Sequence, residues 1–292
     1  MKNLRNLHQA YSITLNFHIK HGGNMKIALI QTDIAWNDPA ENVIRCEKLA
    51  EDAISTGAEI LVFPEMFTSG FSSPTGSLAV QSEQEGRSFL SRIASTHSVY
   101  TIASIPEVTS DGALYNTAVT FSPAGVVSEY RKIHLFSYGD EHREYSPGST
   151  ISTTTLLSAT GESLRCTVCI CYDLRFADIF LTRAHETDIF IVVANWPSSR
   201  REHWLTLLRA RATETQSFIA GVNRVGFGGG LGYTGDSSLF APDGTELALI
   251  QDKATFTTLD IQQQSVIEWR KTFPALRDRR ESVYEQLRKG SN

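Results

Sequence analysis

The chain has no stretch approaching the roughly 18–20 uninterrupted apolar residues of a membrane-spanning helix. It also lacks a block of Lys and Arg long enough to track a phosphate backbone. Its formal net charge of −5 argues further against a nucleic-acid protein. No Pro/Ser/Gly-rich linker, solenoid-length repeat or low-complexity tract divides the 292 residues, so one large α/β domain is expected. Cysteine is scarce, at four. Cys166, Cys169 and Cys171 crowd one strand, where they cannot bridge one another without distorting it, and Cys46 lies in a helical pattern. All four read as reduced, which suits a cytoplasm. No second Cys pair or nearby His completes a zinc set around Cys166-x-x-Cys169.

What is present is enough for a substantial core, with 41% hydrophobic and 20% charged residues. Residues 1–24 stand apart. They carry Lys, Arg, His and Asn throughout, without the apolar centre or cleavage site of a signal peptide. The lack of acidic residues there leaves a mitochondrial presequence open. An unstructured extension, or a start codon placed too early, is the plainer reading, because Met25-Lys-Ile-Ala-Leu-Ile-Gln31 opens directly into a strand.

From Met25 the pattern alternates. Strand Ile27–Gln31 leads to a helix from about Asn37 to Ser55, with Ile44, Leu49, Ala53 and Ile54 at helical spacing. Strand Ile60–Phe63 precedes a Gly/Ser/Pro-rich loop from Thr68 to Gly76. Helix Gln84–His97 leads to strand Tyr100–Ser104. Asn116–Phe121 and Val126–Tyr130, joined by Ser-Pro-Ala-Gly, read as a hairpin. Beyond a long irregular segment come strand Ser163–Cys171, helix Ala177–His185, strand Ile189–Ala194 and helix Glu202–Thr215. Strands Ile219–Asn223, Ser237–Phe240 and Thr255–Ile261 complete the series. So many strands suit two mixed sheets packed face to face, with helices outside, better than one open sheet. The main domain would span 25–267. Residues 268–292 alternate in charge around Trp269, Phe273, Leu276, Tyr284 and Leu287, and are expected to lie over a subunit interface of a homo-oligomer.

Three reactive groups end strands. Cys171 closes a β-branched run and is followed by helix-forming sequence, whose N-terminus would lower the thiol pKa. The alternatives for this residue are a buried apolar cysteine, as Cys166 and Cys169 are read, or a metal or redox site. Glu65 follows Ile-Leu-Val-Phe-Pro, where a carboxylate is costly to bury unless paired or used; its other reading is a loop cap. Lys132 follows Val126–Arg131 and has apolar neighbours Ile133, Leu135 and Phe136, although lone lysines are usually solvated. Strand ends are where ligand sites gather in α/β sheets. A thiol, a carboxylate and an ammonium in such places could attack a carbonyl or nitrile carbon. Asp140, Glu141 and Glu144 have no distinguishing context of their own.

Phe63-Pro-Glu-Met-Phe67, Tyr130-Arg-Lys-Ile-His-Leu-Phe136 and Cys169-Ile-Cys-Tyr-Asp-Leu-Arg-Phe176 resemble, in order, the three signature blocks of the nitrilase (carbon–nitrogen hydrolase) superfamily. The resemblance runs from about Met25 to about Phe273. Ala194-Asn-Trp-Pro197, the helix Trp204–Ala212 and Gly221-Val-Asn-Arg-Val225 are similar to the omega-amidase branch, which hydrolyses the terminal amide of 2-oxoglutaramate and 2-oxosuccinamate. Where many relatives have Pro after the Phe of the cysteine block, this chain has Ala177, a difference at the helix start.

The resemblance implies an α-β-β-α sandwich that dimerises into an eight-layer stack. It implies Glu65, Lys132 and Cys171 as the catalytic set, and places the family's second glutamate, six residues before Pro-Gly, on Glu141. In acyl-transfer chemistry Lys132 and the backbone N–H of Tyr172 would stabilise the oxyanion, with no metal or organic cofactor. The partner implied is a small-molecule amide, not nucleic acid or membrane. Phe71, Trp196 and Arg200 are placed on the substrate side. Arg200 would hold a distal carboxylate bidentately, its alternative being a solvated loop charge. Other readings are hydrolysis of an N-carbamoyl amine or of an aliphatic amide or nitrile, and a non-catalytic interaction protein on the same fold.

Overall fold

A computed structural model describes residues 23–72 and 76–290; the expectation for residues 1–24 falls almost entirely outside them. The first half runs β1 (Met25–Gln31), α1 (Pro39–Ser55), β2 (Ile60–Val62), α2 (Ser77–His97), β3 (Tyr100–Val108), β4 (Leu114–Ser122) and β5 (Gly125–Arg131). After α3 (Glu141–Glu144) come β6 (Thr154–Leu157), β7 (Ser163–Ile170), α4 (Ala177–Leu181), β8 (Ile189–Ala194), α5 (Arg201–Thr215) and β9 (Phe218–Asn223). The chain closes with β10 (Val225–Gly228), β11 (Leu231–Phe240), β12 (Glu246–Gln251), β13 (Thr255–Ile261), α6 (Gln263–Thr272) and α7 (Glu281–Lys289).

Two mixed sheets result. One has the order β13-β1-β2-β3-β4-β5; the other runs β10-β11-β9-β8-β7-β6, with β12 against β11. Within the first, β1, β2 and β3 are parallel, as are β7, β8 and β9 in the second. Period-two alternation explains why these central strands read as continuous apolar runs. Ile27, Leu29, Ile60 and Val62 join residues of the second sheet, among them Cys166, Val168 and Ile170, in one core. Ala28, Ile30, Leu61 and Phe63 point the other way, against Cys46, Ala50 and Ala53 of α1 and Phe89, Leu90 and Ile93 of α2. Trp204, Leu208 and Ala212 of α5 and Phe180 of α4 cover the outside of the second sheet. The layering is α-β-β-α, as the resemblance implied.

Local signals account for several boundaries. Asp38 caps α1 by accepting from the Glu41 N–H at 3.1 Å, with Pro39 at the first helical position. Helix α2 starts seven residues earlier than the sequence pattern suggests. Its first turns bury only Ala79 and Ser82, too faint a stripe to see. Helix α4 stops at Leu181 instead of His185, and the chain turns at Thr182 and Arg183, whose guanidinium donates to the Ile151 carbonyl at 2.8 Å. Strands β6, β10 and β12 were not anticipated. The glycines at 226, 228, 229, 230 and 232 hide β10 and the first half of β11 behind a loop-like composition.

The boundary drawn at 267/268 is also corrected, since it falls inside α6. Val266 of this helix is fully buried, and the Arg270 guanidinium donates to the carbonyls of Gln216, Ala184 and Thr187 at 3.1, 2.7 and 2.8 Å. It thereby satisfies a carbonyl left open at the end of α5 and two in the turn that precedes β8. Leu276 is buried as well. The first half of the supposed tail is therefore part of the domain.

Candidate active site

The sheets deliver four groups to one place. Glu65 follows β2 directly after Phe63-Pro64, Lys132 is the first residue beyond β5, Glu141 opens α3 and Cys171 is the first residue beyond β7. Glu65, Lys132 and Glu141 have side chains sealed from solvent. Lys132 Nζ donates to Glu65 Oε1 at 2.9 Å and to both oxygens of Glu141, at 3.0 and 2.9 Å. Asn116 Nδ2 donates to Glu65 Oε1 at 2.8 Å and to Glu141 Oε1 at 3.2 Å. The Asn195 backbone N–H donates to Glu65 Oε2 at 2.8 Å, and its side-chain amide donates to the Glu65 carbonyl. The Phe136 N–H donates to Glu141 Oε2 at 2.6 Å. Buried ions survive when they are paired and their remaining lone pairs are filled, and here both conditions hold.

Cys171 sits in the left-handed region at φ 44°, which a non-glycine residue adopts only when its surroundings force it. The thiol lies beside Glu65 and is partly open to the cavity. Burial, then the nearby Glu65 and Glu141 carboxylates, push its pKa well above the usual thiol range, against the opposing pull of Lys132. This corrects the expectation of a thiol acidified by a helix N-terminus. Cys171 opens only a five-residue 3-10 turn, and two carboxylates outweigh one ammonium. At rest the sulfur holds its proton. For Lys132, burial alone would lower the pKa, but Glu141 and Glu65 carry it above the ordinary lysine value, so it is a fixed cation.

Asp173 ties the cysteine turn to the lysine segment. Its Oδ2 accepts from the Ile170 N–H at 3.0 Å and the Tyr130 hydroxyl at 2.7 Å. Its Oδ1 accepts from the His134 N–H at 3.0 Å and lies 2.8 Å from His134 Nδ1.

In front of the sulfur lies a cavity of about 250 Å³. Of the residues expected at the site, Phe71, Lys132, Cys171, Tyr172, Trp196 and Arg200 line it, while Glu65 and Glu141 stand behind Lys132. Trp36, Phe136, Arg175, Asn195, Leu231 and Tyr233 also line it and were missed, as was Asn116 behind them. Arg175 was legible in the cysteine block but carried no separate signal. Asn116 lies in an ordinary alternating strand, and nothing marks Trp36.

The walls are therefore largely aromatic, with two guanidiniums among them. Arg200 Cζ lies 5.3 Å from the Phe136 ring centroid, and Arg175 Cζ lies 4.7 Å from that of Trp196. Among the described residues neither guanidinium has a carboxylate within the 4.0 Å of an ion pair, whereas Arg165, Arg201 and Arg131 each do. An apolar cavity holding two uncompensated cations favours an anionic guest.

A shielded thiol beside a carboxylate and a fixed ammonium, on an α-β-β-α frame, defines a thiol-dependent amidohydrolase. The chain belongs to the carbon–nitrogen hydrolase family, whose profile matches residues 26–271. It is 32% identical over 256 residues to omega-amidase YafV of Escherichia coli K12, covering 87% of this chain and 96% of that protein. It is 32% identical over 263 residues to a 2-oxoglutaramate amidase of Bacillus subtilis strain 168, covering 88% and 98%. A CN-hydrolase superfamily protein from Xanthomonas campestris, solved with an arsenic adduct in its active site, superposes with a TM-score of 0.79 at 30% identity over 89% of this chain and 98% of that one.

Proposed function

We propose that this amidohydrolase cleaves the terminal amide of a 2-oxo dicarboxylate monoamide, 2-oxoglutaramate or 2-oxosuccinamate, through a thioester on Cys171. The observation that carries the substrate is the pair of uncompensated guanidiniums, Arg175 and Arg200, in an otherwise aromatic cavity beside the thiol. The names of the E. coli and B. subtilis relatives point the same way.

The chemistry follows from the protonation states. Glu65 takes the thiol proton as sulfur attacks the amide carbon, so a thiolate need not accumulate. Lys132 Nζ and the Tyr172 backbone N–H stabilise the oxyanion of the tetrahedral adduct, and one well-placed donor is worth about 2.7–4 kcal/mol. As the adduct collapses the C–N bond breaks, and Glu65 gives its proton to the nitrogen, which leaves as ammonia. Water then gives a proton to Glu65 and its hydroxyl to the thioester carbon. The C–S bond breaks and the sulfur recovers the proton. Glu141, bound to Lys132 through both oxygens, holds the ammonium in place and compensates its charge. Lys132 remains a cation throughout.

The same reading places the enzyme in a reducing cytoplasm, consistent with its four free cysteines, and in a homodimer or larger homo-oligomer. The test is ammonia release from 2-oxoglutaramate, 2-oxosuccinamate, succinamate, propionamide, an aliphatic nitrile and an N-carbamoyl amino acid. The 2-oxo monoamides should give the highest kcat/KM. Arg200→Ala should raise KM for 2-oxoglutaramate about ten- to a hundredfold, as loss of a charged hydrogen bond does, and hardly change propionamide. A preference for the nitrile or the carbamoyl compound would reject the substrate assignment, and equal losses on charged and neutral amides would reject Arg200 as the carboxylate clamp.

A further inference from the structure

Two walls of the cavity are tryptophans from distant parts of the chain, Trp36 after β1 and Trp196 after β8. Neither is held by its own segment alone. The Trp196 backbone is clasped by the Asn223 side chain: its N–H donates to Asn223 Oδ1 at 2.7 Å and its carbonyl accepts from Nδ2 at 2.9 Å. Asn223 Nδ2 also donates to the Gly235 carbonyl at 2.6 Å. Every polar atom of that amide is committed, and Asn223 is buried at the end of β9.

The next residue serves the Trp36 wall. Arg224 has a side chain with no exposure, and its guanidinium lies over the Tyr233 ring at 4.6 Å. Its Nη2 donates to the Ile34 carbonyl at 2.9 Å, and lies 3.4 Å from both Asp33 Oδ1 and the Phe227 carbonyl. Nε donates to the Val225 carbonyl at 3.1 Å, while Nη1 has no partner. It thus links the segment leading to Trp36 with the β10–β11 hairpin that carries Gly229 and Leu231. The Trp36 indole is packed on that hairpin so closely that a methyl group built on Gly229 would lie 2.5 Å from it, and one on Gly70 2.8 Å. A buried guanidinium whose one carboxylate, 3.4 Å away, is half-exposed is a costly way to hold two loops together. An apolar side chain of the same volume would fill the space, but it could not bond three carbonyls on two segments.

We propose that Asn223 and Arg224 are positioning residues that fix the Trp196 and Trp36 walls of the cavity, and so determine which acyl group it admits. The pair acts through adjacent backbone positions at one strand end, so the spacing between the walls is fixed by β9. Neither residue bonds Cys171, Glu65, Lys132 or Glu141. Loosening them should therefore alter the fit of the acyl chain more than the bond-making step. The inference rests on the cavity being the acyl pocket of the proposed reaction.

The test separates the wall from the reaction. Arg224→Met, Asn223→Ala and Asp33→Ala, the last a half-exposed anchor whose loss leaves the core intact, should each raise KM for 2-oxoglutaramate at least fivefold while kcat falls less than about threefold. Arg224→Lys should recover part of the loss, since an ammonium reaches fewer carbonyls. In parallel, Cys171 is alkylated with iodoacetamide and with the bulkier, aromatic iodoacetanilide. The ratio of the two rates should shift at least fivefold in the variants, a readout that needs no amide to be turned over. Wild-type enzyme inert to 2-oxoglutaramate would sink the substrate reading and leave the alkylation ratio to judge the walls. An unchanged ratio in folded Asp33→Ala and Arg224→Met, or a parallel fall of kcat, both alkylation rates and Tm, would overturn the proposal.

Discussion

At the scale of single residues, four cysteines show how placement divides identical side chains. Burial pushes the Cys46 and Cys166 thiols up to about 12, and raises Cys169 well above the usual range. In the unfolded chain these thiols titrate near 8.5. The folded pKa is therefore the higher one, and the native state holds the proton over the interval between. Stability from this source is complete below about pH 8.5 and is lost as the pH climbs toward 12. Each thiol should contribute a loss of about 2 kcal/mol between pH 8 and pH 10. Urea unfolding of Cys166→Ala at both pH values should show a smaller alkaline loss than wild type, whatever the cost of its lost packing; an unchanged loss would contradict this account. Cys171 behaves otherwise because its proton has an acceptor in place. Cys171→Ser should leave the melting temperature within a few degrees and reduce kcat by at least about a thousandfold, since a hydroxyl is far less ionised than a thiol and a poorer nucleophile; ammonia release under single-turnover conditions reads it. Near-normal turnover would remove the thioester from the mechanism. Glu65 and Cys171 were legible in the sequence because each ends an apolar strand with a charged or reactive group, and Lys132, a strand-end lysine with polar residues before it, because it sits in a block resembling the family's signature. Asn116 and Trp36 were not, because Asn116 acts on Glu65, 51 residues away, and Trp36 packs on the glycines of the β10–β11 hairpin far along the chain.

The elements explain how such distant residues meet. Parallel strands β1, β2 and β3, and β7, β8 and β9, all point the same ends toward the cavity, so Glu65, Cys171 and Asn195 arrive together once the sheets face each other. Central strands and the longer helices were readable from periodicity, down to the limits of β8 and β13. Edge strands β6 and β10 were not, because short half-solvated edges rich in Thr and Gly lose the apolar signal that burial imposes, and β12 was passed over although it carries the apolar run Leu-Ala-Leu-Ile. The joint between the cysteine turn and the lysine segment is a third kind of feature, a tertiary one, and Asp173 makes it. Asp173→Asn replaces one acceptor oxygen by an N–H that would face either the Ile170 and Tyr130 donors or the His134 N–H. The elbow at Cys171 and the position of Lys132 should then slip relative to each other. Expected is a fall in kcat of about ten- to a hundredfold with KM changed less than about threefold, because the loss is in alignment of the reacting groups and not in the pocket walls. Steady-state kinetics on 2-oxoglutaramate decides it, and a rise in KM with kcat intact would show that Asp173 serves the pocket instead.

For the molecule as a whole, the two sheets and their helices satisfy themselves, but the C-terminal segment does not. Helix α6 is anchored by Val266 and Arg270, and the chain then reaches α7, in which no residue is buried. Tyr284 and Leu287 lie one turn apart there, and Ile267 and Phe273 are exposed nearby in sequence. An amphipathic helix of nine residues has little stability of its own in water and is usually held by the surface its apolar face covers. The polar contacts of α7 within the chain include Arg288 to Asp178, an exposed ion pair of small worth, and the Arg279 guanidinium 5.5 Å from the Tyr284 ring centroid. An isologous contact between two copies would bury the four apolar side chains twice over, and a closed symmetric pair needs only one such patch. The enzyme is therefore expected to scatter light as twice its chain mass or more at micromolar concentration. Phe273→Asp combined with Ile267→Asp should shift it toward the chain mass, while Cys171 remains alkylated at the wild-type rate by iodoacetamide. Wild-type protein that scatters as a single chain would show that α7 covers no partner. A double variant that keeps the larger mass would place the interface on another face.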